Sequence, residues 1–118
     1  MLDQKALDVI RALQREGEPS LLERVIKLYL DSSPKLLRSL RESVEQKDDL
    51  KAVHEAAHSL KSSSANLGAT ALATLCKELE EMARQDRMTG AEKKLGEIEE
   101  TYKTVCRLLV AESEKAVA

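Results

Sequence analysis

Apolar residues recur along this chain at spacings of three and four, the period of helices that each bury one stripe. Near the start, Asp3 is placed to cap a first helix. Leu2 and Leu7 have the spacing of a hydrophobic staple across that cap, and Gly17 supplies the stop. Pro19 and Ser20 open a second helix, with Ser20 and Glu23 in capping-box spacing and Leu22, Val25, Ile26 and Tyr29 on its apolar side. Pro34 either kinks this helix or restarts it with Ser33 as the cap, because proline has no N–H to continue the ladder. The continuation carries Leu36, Leu37, Leu40 and Val44 and ends near Lys47. Asp48 or Asp49 then caps a central helix that Gly68 terminates. The next helix runs from about Thr70 to Arg87, with Leu72, Leu75, Leu79 and Met82 on one side. Thr89 and Glu92 form a second capping box before the last helix, whose repeat is Ala91, Leu95, Ile98, Tyr102, Val105 and Leu109. Gly96 inside it costs about 1 kcal/mol relative to alanine. No stretch alternates like a strand, and no Asn-Gly or Asp-Gly marks a hairpin. Long amphipathic helices on short connections predict an all-α fold: an up-down antiparallel four-helix bundle with an additional N-terminal helix, in one domain spanning 1–118.

Composition narrows the function classes. Charged residues make up 34% and hydrophobic ones 42%, a globular balance, and the net charge of -2 gives no reason to expect nucleic acid as a partner. No apolar run approaches the roughly 18–20 residues of a membrane span and no signal peptide opens the chain, so no direct membrane contact is expected. Cys76 and Cys106 lie apart inside helical patterns and read as core or near-core thiols of a reduced, cytoplasmic protein. With two Tyr, no Phe and no Trp, the core must be aliphatic and close-packed.

The central helix carries two stripes. Leu50, Val53, Ala57, Leu60, Ser64 and Leu67 form a core seam with one small polar residue in it. Beside it run Lys51, His54, His58, Lys61 and Ala65, a basic and polar face flanked by the small residues Ser59 and Ser62. The two histidines and Glu55 fall in HEAAH, which matches the HExxH pattern of zinc proteases. Zinc catalysis also needs a third protein ligand and a substrate cleft. The extended pattern fails, with Lys at 61 and Ser at 64, and Glu78, Glu80 and Glu81 read as ordinary helix-surface acids. The match is therefore read as incidental, with no metal site, and His54 as a solvated residue of the surface stripe.

The run from Ala57 to Ala69, AHSLKSSSANLGA, resembles the signature of the histidine-containing phosphotransfer (HPt) domain of bacterial multistep phosphorelays. His58, Leu60, Lys61, Ser63, Ser64, Gly68 and Ala69 match it, and the order of helices extends the resemblance over nearly the whole chain. One departure is Ser62, at a position where that family most often has glycine. The resemblance implies that His58 carries a phosphoryl group from one receiver-domain aspartate to another. The carrier needs no cofactor of its own, because the receivers of response regulators and hybrid sensor kinases supply the Mg²⁺.

The residues agree with that reading. Imidazole, with an ordinary pKa of about 6.5, is a nucleophile that can accept and return a phosphoryl group at neutral pH. Lys61, one turn from His58, is placed to contact phosphoryl oxygens. Lys51, His54, Ser62 and Ala65 form the expected docking surface, while Leu60, Ser64, Leu67 and Gly68 are structural. The hydroxyls of Ser63 and Ser64 can bond the carbonyl one turn back. No glycine-rich nucleotide loop is present, so the expected protein is a monomeric phosphocarrier and not a kinase. It would be either free-standing or the cytoplasmic C-terminal domain of a membrane-bound hybrid kinase. The alternatives are a helical protein-binding module without phosphotransfer and, last, the zinc hydrolase.

Overall fold

The computed structural model describes residues 1–46 and 49–117. These residues form five α-helices and no strand: α1 (Gln4–Ala12), α2 (Leu21–Gln46), α3 (Leu50–Asn66), α4 (Thr70–Arg84) and α5 (Ala91–Val117). Helices α2 to α5 close a four-membered antiparallel ring, in which α2 and α4 each pack against both α3 and α5. The first helix lies across α2 and α3 and reaches α5 through Gln4 and Arg11, which bond Glu112 at 3.1 and 3.0 Å.

The core is aliphatic: Ile26, Leu40, Leu60, Leu67, Leu72, Leu79, Leu95, Ile98 and Leu109 are fully buried. Its polar groups are matched in pairs. Tyr29 and Ser64 share a hydrogen bond at 2.8 Å, and Ser33 and Tyr102 share one at 2.6 Å. Ser64 therefore bonds across the bundle, whereas Ser63 bonds the Ser59 carbonyl one turn back at 3.0 Å. Of the α3 seam only Leu50, at the first residue of the helix, stays half-buried.

The expected caps are present at three helix starts. The Asp3 side chain accepts from Lys5 N–H, Ser20 accepts from Glu23 N–H, and Asp49 accepts from Ala52 N–H. Leu2 and Leu7 are both buried, as the staple requires. The predicted end near Lys47 and the alternative cap Asp48 lie outside the described residues.

Four sequence expectations are corrected. The first helix ends at Ala12, not at Gly17, because the Gln14 amide gathers the following turn: its NH₂ reaches the Arg15, Glu18 and Pro19 carbonyls and its oxygen accepts from Leu21 N–H. Of the two alternatives at Pro34 the restart is excluded: helix α2 continues through it, and Ser33 is a buried residue bonded to Tyr102 rather than a cap. The missing N–H costs about 3 kcal/mol. It is outweighed by the burial of Ile26 and Tyr29 before it and Leu40 and Val44 after it, at about 1.5–3 kcal/mol for each aliphatic side chain. Helix α4 stops at Arg84, not Arg87, in a Schellman closure. Asp86 takes a left-handed φ of 54°, Asp86 N–H donates to the Ala83 carbonyl, and Arg87 N–H donates to the Met82 carbonyl. The Thr89 hydroxyl makes no cap bond to Glu92 among the described residues; α5 starts with Lys94 N–H on the Gly90 carbonyl.

The same closure, this time with glycine, ends α3. Gly68 has φ +78°, its N–H donates to the Ala65 carbonyl, and Ala69 N–H donates to the Ser64 carbonyl. The N-terminal segment lies directly on this turn. Asp3 N–H donates to the Gly68 carbonyl at 2.8 Å, and a Cβ on Gly68 would sit 2.5 Å from the Asp3 carbonyl oxygen.

Candidate functional site

The buried face of α4 is Leu72, Cys76, Leu79 and Ala83. Glu80 lies four residues after Cys76 and three before Ala83, so it is carried against α3 and is only 6% exposed. There it meets the second stripe of α3. Its Oε2 accepts from His58 Nδ1 at 2.6 Å, and its Oε1 accepts from Lys61 Nζ at 2.6 Å. His54 Nε2 is 3.5 Å from Oε2, and its ring lies parallel to that of His58 with centroids 6.2 Å apart.

One buried carboxylate thus serves three basic side chains from the neighbouring helix. Burial alone would raise the Glu80 pKa, but the hydrogen bonds from Lys61 and His58 outweigh it and hold the carboxyl below its usual range. Burial, together with the Glu80 charge, pushes the adjacent Cys76 thiol up to about 12, so it stays a neutral core residue. An ionised carboxylate only accepts hydrogen bonds, which assigns the proton of neutral His58 to Nδ1 and leaves the Nε2 lone pair free. The His58 side chain is 57% exposed, so that lone pair faces solvent from a ring fixed on its other edge.

The predicted site residues fall into two groups. His58, Lys61 and His54 converge on Glu80, and His54 is therefore not merely solvated. Lys51 is exposed and pairs only loosely with Glu55, at 4.0 Å; Ser62 and Ala65 are exposed on the same face. The structural residues Leu60, Ser64 and Leu67 are buried. Glu80, on which this cluster converges, was misread as a surface acid. Its spacing from Cys76 and Ala83 was the available signal. Also missed was an apolar groove of about 540 Å³ that begins at Ala65 and is walled by Val9 of α1, Leu13 just after it, and Leu21 and Val25 of α2. HEAAH does not build a three-ligand cluster: no group of three His, Cys, Asp or Glu side chains is arranged to hold a metal ion among the described residues. No helix is long and apolar enough to cross a membrane among those residues.

The Hpt domain family model matches residues 24–108, which hold α3, α4 and the whole His58–Glu80 cluster. The chain belongs to the Hpt domain family. Its fold overlays that of the crystal structure of histidine-containing phosphotransfer protein B from Pseudomonas aeruginosa PAO1 with a TM-score of 0.86 at 29% identity, covering 97% of this chain and 95% of that one. A histidine-containing phosphotransfer protein from Medicago truncatula shares the fold at a TM-score of 0.79 and 23% identity, over 98% of this chain and 78% of that one. Among curated proteins, histidine-containing phosphotransfer protein 5 of Arabidopsis thaliana is 31% identical over 80% of this chain, and protein 1 is 27% identical over 86%. The matched regions span 61% and 66% of those plant proteins.

Proposed function

We propose that this HPt chain is a phosphoryl carrier in a multistep phosphorelay, with His58 as the acceptor and donor. The observation that carries the reading is the division of labour on the His58 ring: Nδ1 is held by a buried carboxylate while Nε2 is free on an exposed face. In the forward step the Nε2 lone pair forms the N–P bond as the acyl O–P bond of a phosphorylated receiver aspartate breaks and the aspartate leaves as carboxylate. The Nδ1 proton stays on the ring, which becomes cationic, and Glu80 opposes that charge. The return step reverses each event toward a second receiver. Lys61, held at the rim with 27% of its side chain exposed, turns from Glu80 to meet phosphoryl oxygens.

The proposed role is that of a carrier and not of a kinase, in keeping with a sequence that has no glycine-rich nucleotide loop. Mg²⁺ belongs to the receivers in this scheme. The receivers dock over Lys51, His54, Ser62 and Ala65 and continue into the apolar groove, since Ala65 belongs to both surfaces. The exposure of Val9 and Leu13, at 65% each, supports this extension. A monomer in the cytoplasm, where the free thiols Cys76 and Cys106 stay reduced, completes the proposal.

The test is incubation with a phosphorylated receiver domain, followed by mass spectrometry for acid-labile, alkali-stable phosphate. His58→Gln should abolish acceptance with an unchanged circular dichroism spectrum. Phosphate on His54 in the wild-type protein would overturn the assignment.

A further inference from the structure

The phosphocarrier reading uses His58, Lys61 and Glu80 and gives His54 no part beyond docking. Its geometry is nevertheless specific. It stands one turn before His58, as Lys61 stands nearly one turn after it, so the two basic side chains flank the acceptor along α3. Its Nε2 points at Glu80 Oε2, the same oxygen that holds His58, and the two rings are stacked in parallel. The side chain is 41% exposed, so solvent can supply or remove a proton.

Charge decides what such a residue does. With both histidines neutral, Lys61 and Glu80 cancel and the cluster is neutral. Phosphorylation puts a dianionic group on Nε2 and leaves the His58 ring cationic, so the cluster becomes net negative. The charged groups around His54 are few. Its own helix contributes Lys51, Glu55, His58 and Lys61, with Lys51 and Glu55 facing each other. Helix α4, against which it leans, contributes Glu80, with exposed Lys77 and Arg84 about a turn to either side and Arg84 bound to Glu81. Lys61 is already cationic and cannot add charge. Histidine is the side chain that takes up a proton in the neutral range.

We propose that His54 is a proton-linked positioning residue for the phosphoryl group: it protonates from solvent when His58 is phosphorylated, and its protonation in turn holds the phosphorylated state. The inference rests on the phosphocarrier reading, and the linkage is reciprocal by thermodynamic necessity. The net negative charge that phosphorylation adds to the neighbouring residue favours the protonated form of His54, whose ring lies 6.2 Å from that of His58. The converse is a phospho-His58 whose retention at equilibrium rises as pH falls through the His54 titration.

The chain has only two histidines, so their imidazole carbon-bound protons give two resolvable NMR titrations, assigned by the signal that His54→Gln removes. The protein is titrated unphosphorylated and again after phosphorylation with phosphoramidate, whose P–N bond breaks to release ammonia as the His58 N–P bond forms. Mass spectrometry confirms the phosphorylated state. An upward shift of the His54 midpoint supports the linkage; an unmoved or lowered midpoint in a protein shown to carry phosphate on His58 overturns it and leaves the carrier reading intact. Absence of phosphate after treatment with both phosphoramidate and a phosphorylated receiver overturns the carrier reading and the linkage with it. A second readout separates charge from shape. At about pH 8, His54→Lys should retain phosphate several-fold longer than His54→Gln. Equal lifetimes in the two variants would also overturn the proposal.

Discussion

Glu80→Gln is the substitution that bears most directly on how the site works. It keeps the shape of the side chain and replaces one of two acceptor oxygens with an amide donor. Two donors face that carboxylate, His58 Nδ1 and Lys61 Nζ, each at 2.6 Å. Glutamine can satisfy only one of them, and the charged ammonium makes the stronger bond. The amide NH₂ then faces His58 Nδ1, which must become an acceptor, and the ring proton moves to Nε2, where the attacking lone pair was. A hydrogen bond to a charged group is worth about 1.5–3 kcal/mol. At about 1.4 kcal/mol per tenfold in rate, uptake at His58 should fall by about ten- to a hundredfold. The assay is the rate of phosphoryl uptake from phosphoramidate, which needs no docking surface, beside a ¹⁵N spectrum that reports which ring nitrogen carries the proton. The variant should remain helical, since the glutamine oxygen still accepts from Lys61 and the side chain keeps its shape. A folded Glu80→Gln protein with the wild-type uptake rate, or a wild-type neutral His58 protonated on Nε2, would refute the tautomer argument.

Three further outcomes follow from particular contacts. Gly68→Ala should cost about 2–3 kcal/mol in denaturant unfolding: left-handed strain of about 1–2 kcal/mol plus the Asp3–Gly68 hydrogen bond, less a few tenths for the stiffer unfolded chain. A cost within experimental error would mean that the N-terminal segment does not rest on this turn. Gly96→Ala in mid-α5 should stabilise by about 1 kcal/mol, because the added Cβ meets nothing within 4 Å; a lower melting temperature would contradict that. The folded-state carboxyl of Glu80 titrates below its ordinary value of 4.5, so its stabilising contribution is complete above that pH and is lost as pH falls through the lower folded value. Melting temperatures measured downward from about pH 5 should therefore drop more for the wild type than for Glu80→Gln, and parallel curves would deny Glu80 that role.

The elements were legible because they are set by local pattern. The 3.6-residue period gave the core faces, and Asp3, Ser20 and Asp49 announced three helix starts that the hydrogen bonds bear out. Helix ends were less legible, because they depend on contacts that local propensity does not encode. Gln14 closes the turn after α1 with its side chain, and Asp86 accepts a left-handed conformation that sequence rules reserve for glycine or asparagine. At Pro34 the sequence left a kink and a restart both open because proline's cost is local, while the burial that carries the helix through it comes from Tyr29, Leu40 and their partners on other helices. In the site, the α3 stripe could be read from one helix, so His58, Lys61 and their shared face were visible. Glu80 was not, because its role depends on which face of α4 meets α3. The apolar groove was hidden for the same reason: its lining is divided among α1, α2 and α3 and comes together only when the three helices pack.

An acid on α3 itself, one turn from His58, would have been simpler to encode, but it would hold the ring less firmly. Such a side chain would sit at the surface, where a pair one turn apart contributes only about 0.3–0.5 kcal/mol. Placing the carboxylate on α4 buries it and aims its two oxygens at residues three apart on α3, a rise of about 4.5 Å. Each oxygen then fixes one group. The orientation of His58 becomes a consequence of how α3 and α4 pack. That packing is set by a three-residue connection, Leu67 to Ala69, closed by the Ala69–Ser64 hydrogen bond and covered by Asp3. The N-terminal segment thus supports the chemistry without reaching it: Asp3 secures Gly68, Gly68 sets the register of the two helices, and the register puts Glu80 under the ring. A lone histidine on a helix is a flexible base; here the bundle commits one ring nitrogen and leaves the other free, as the proposed phosphoryl acceptor requires.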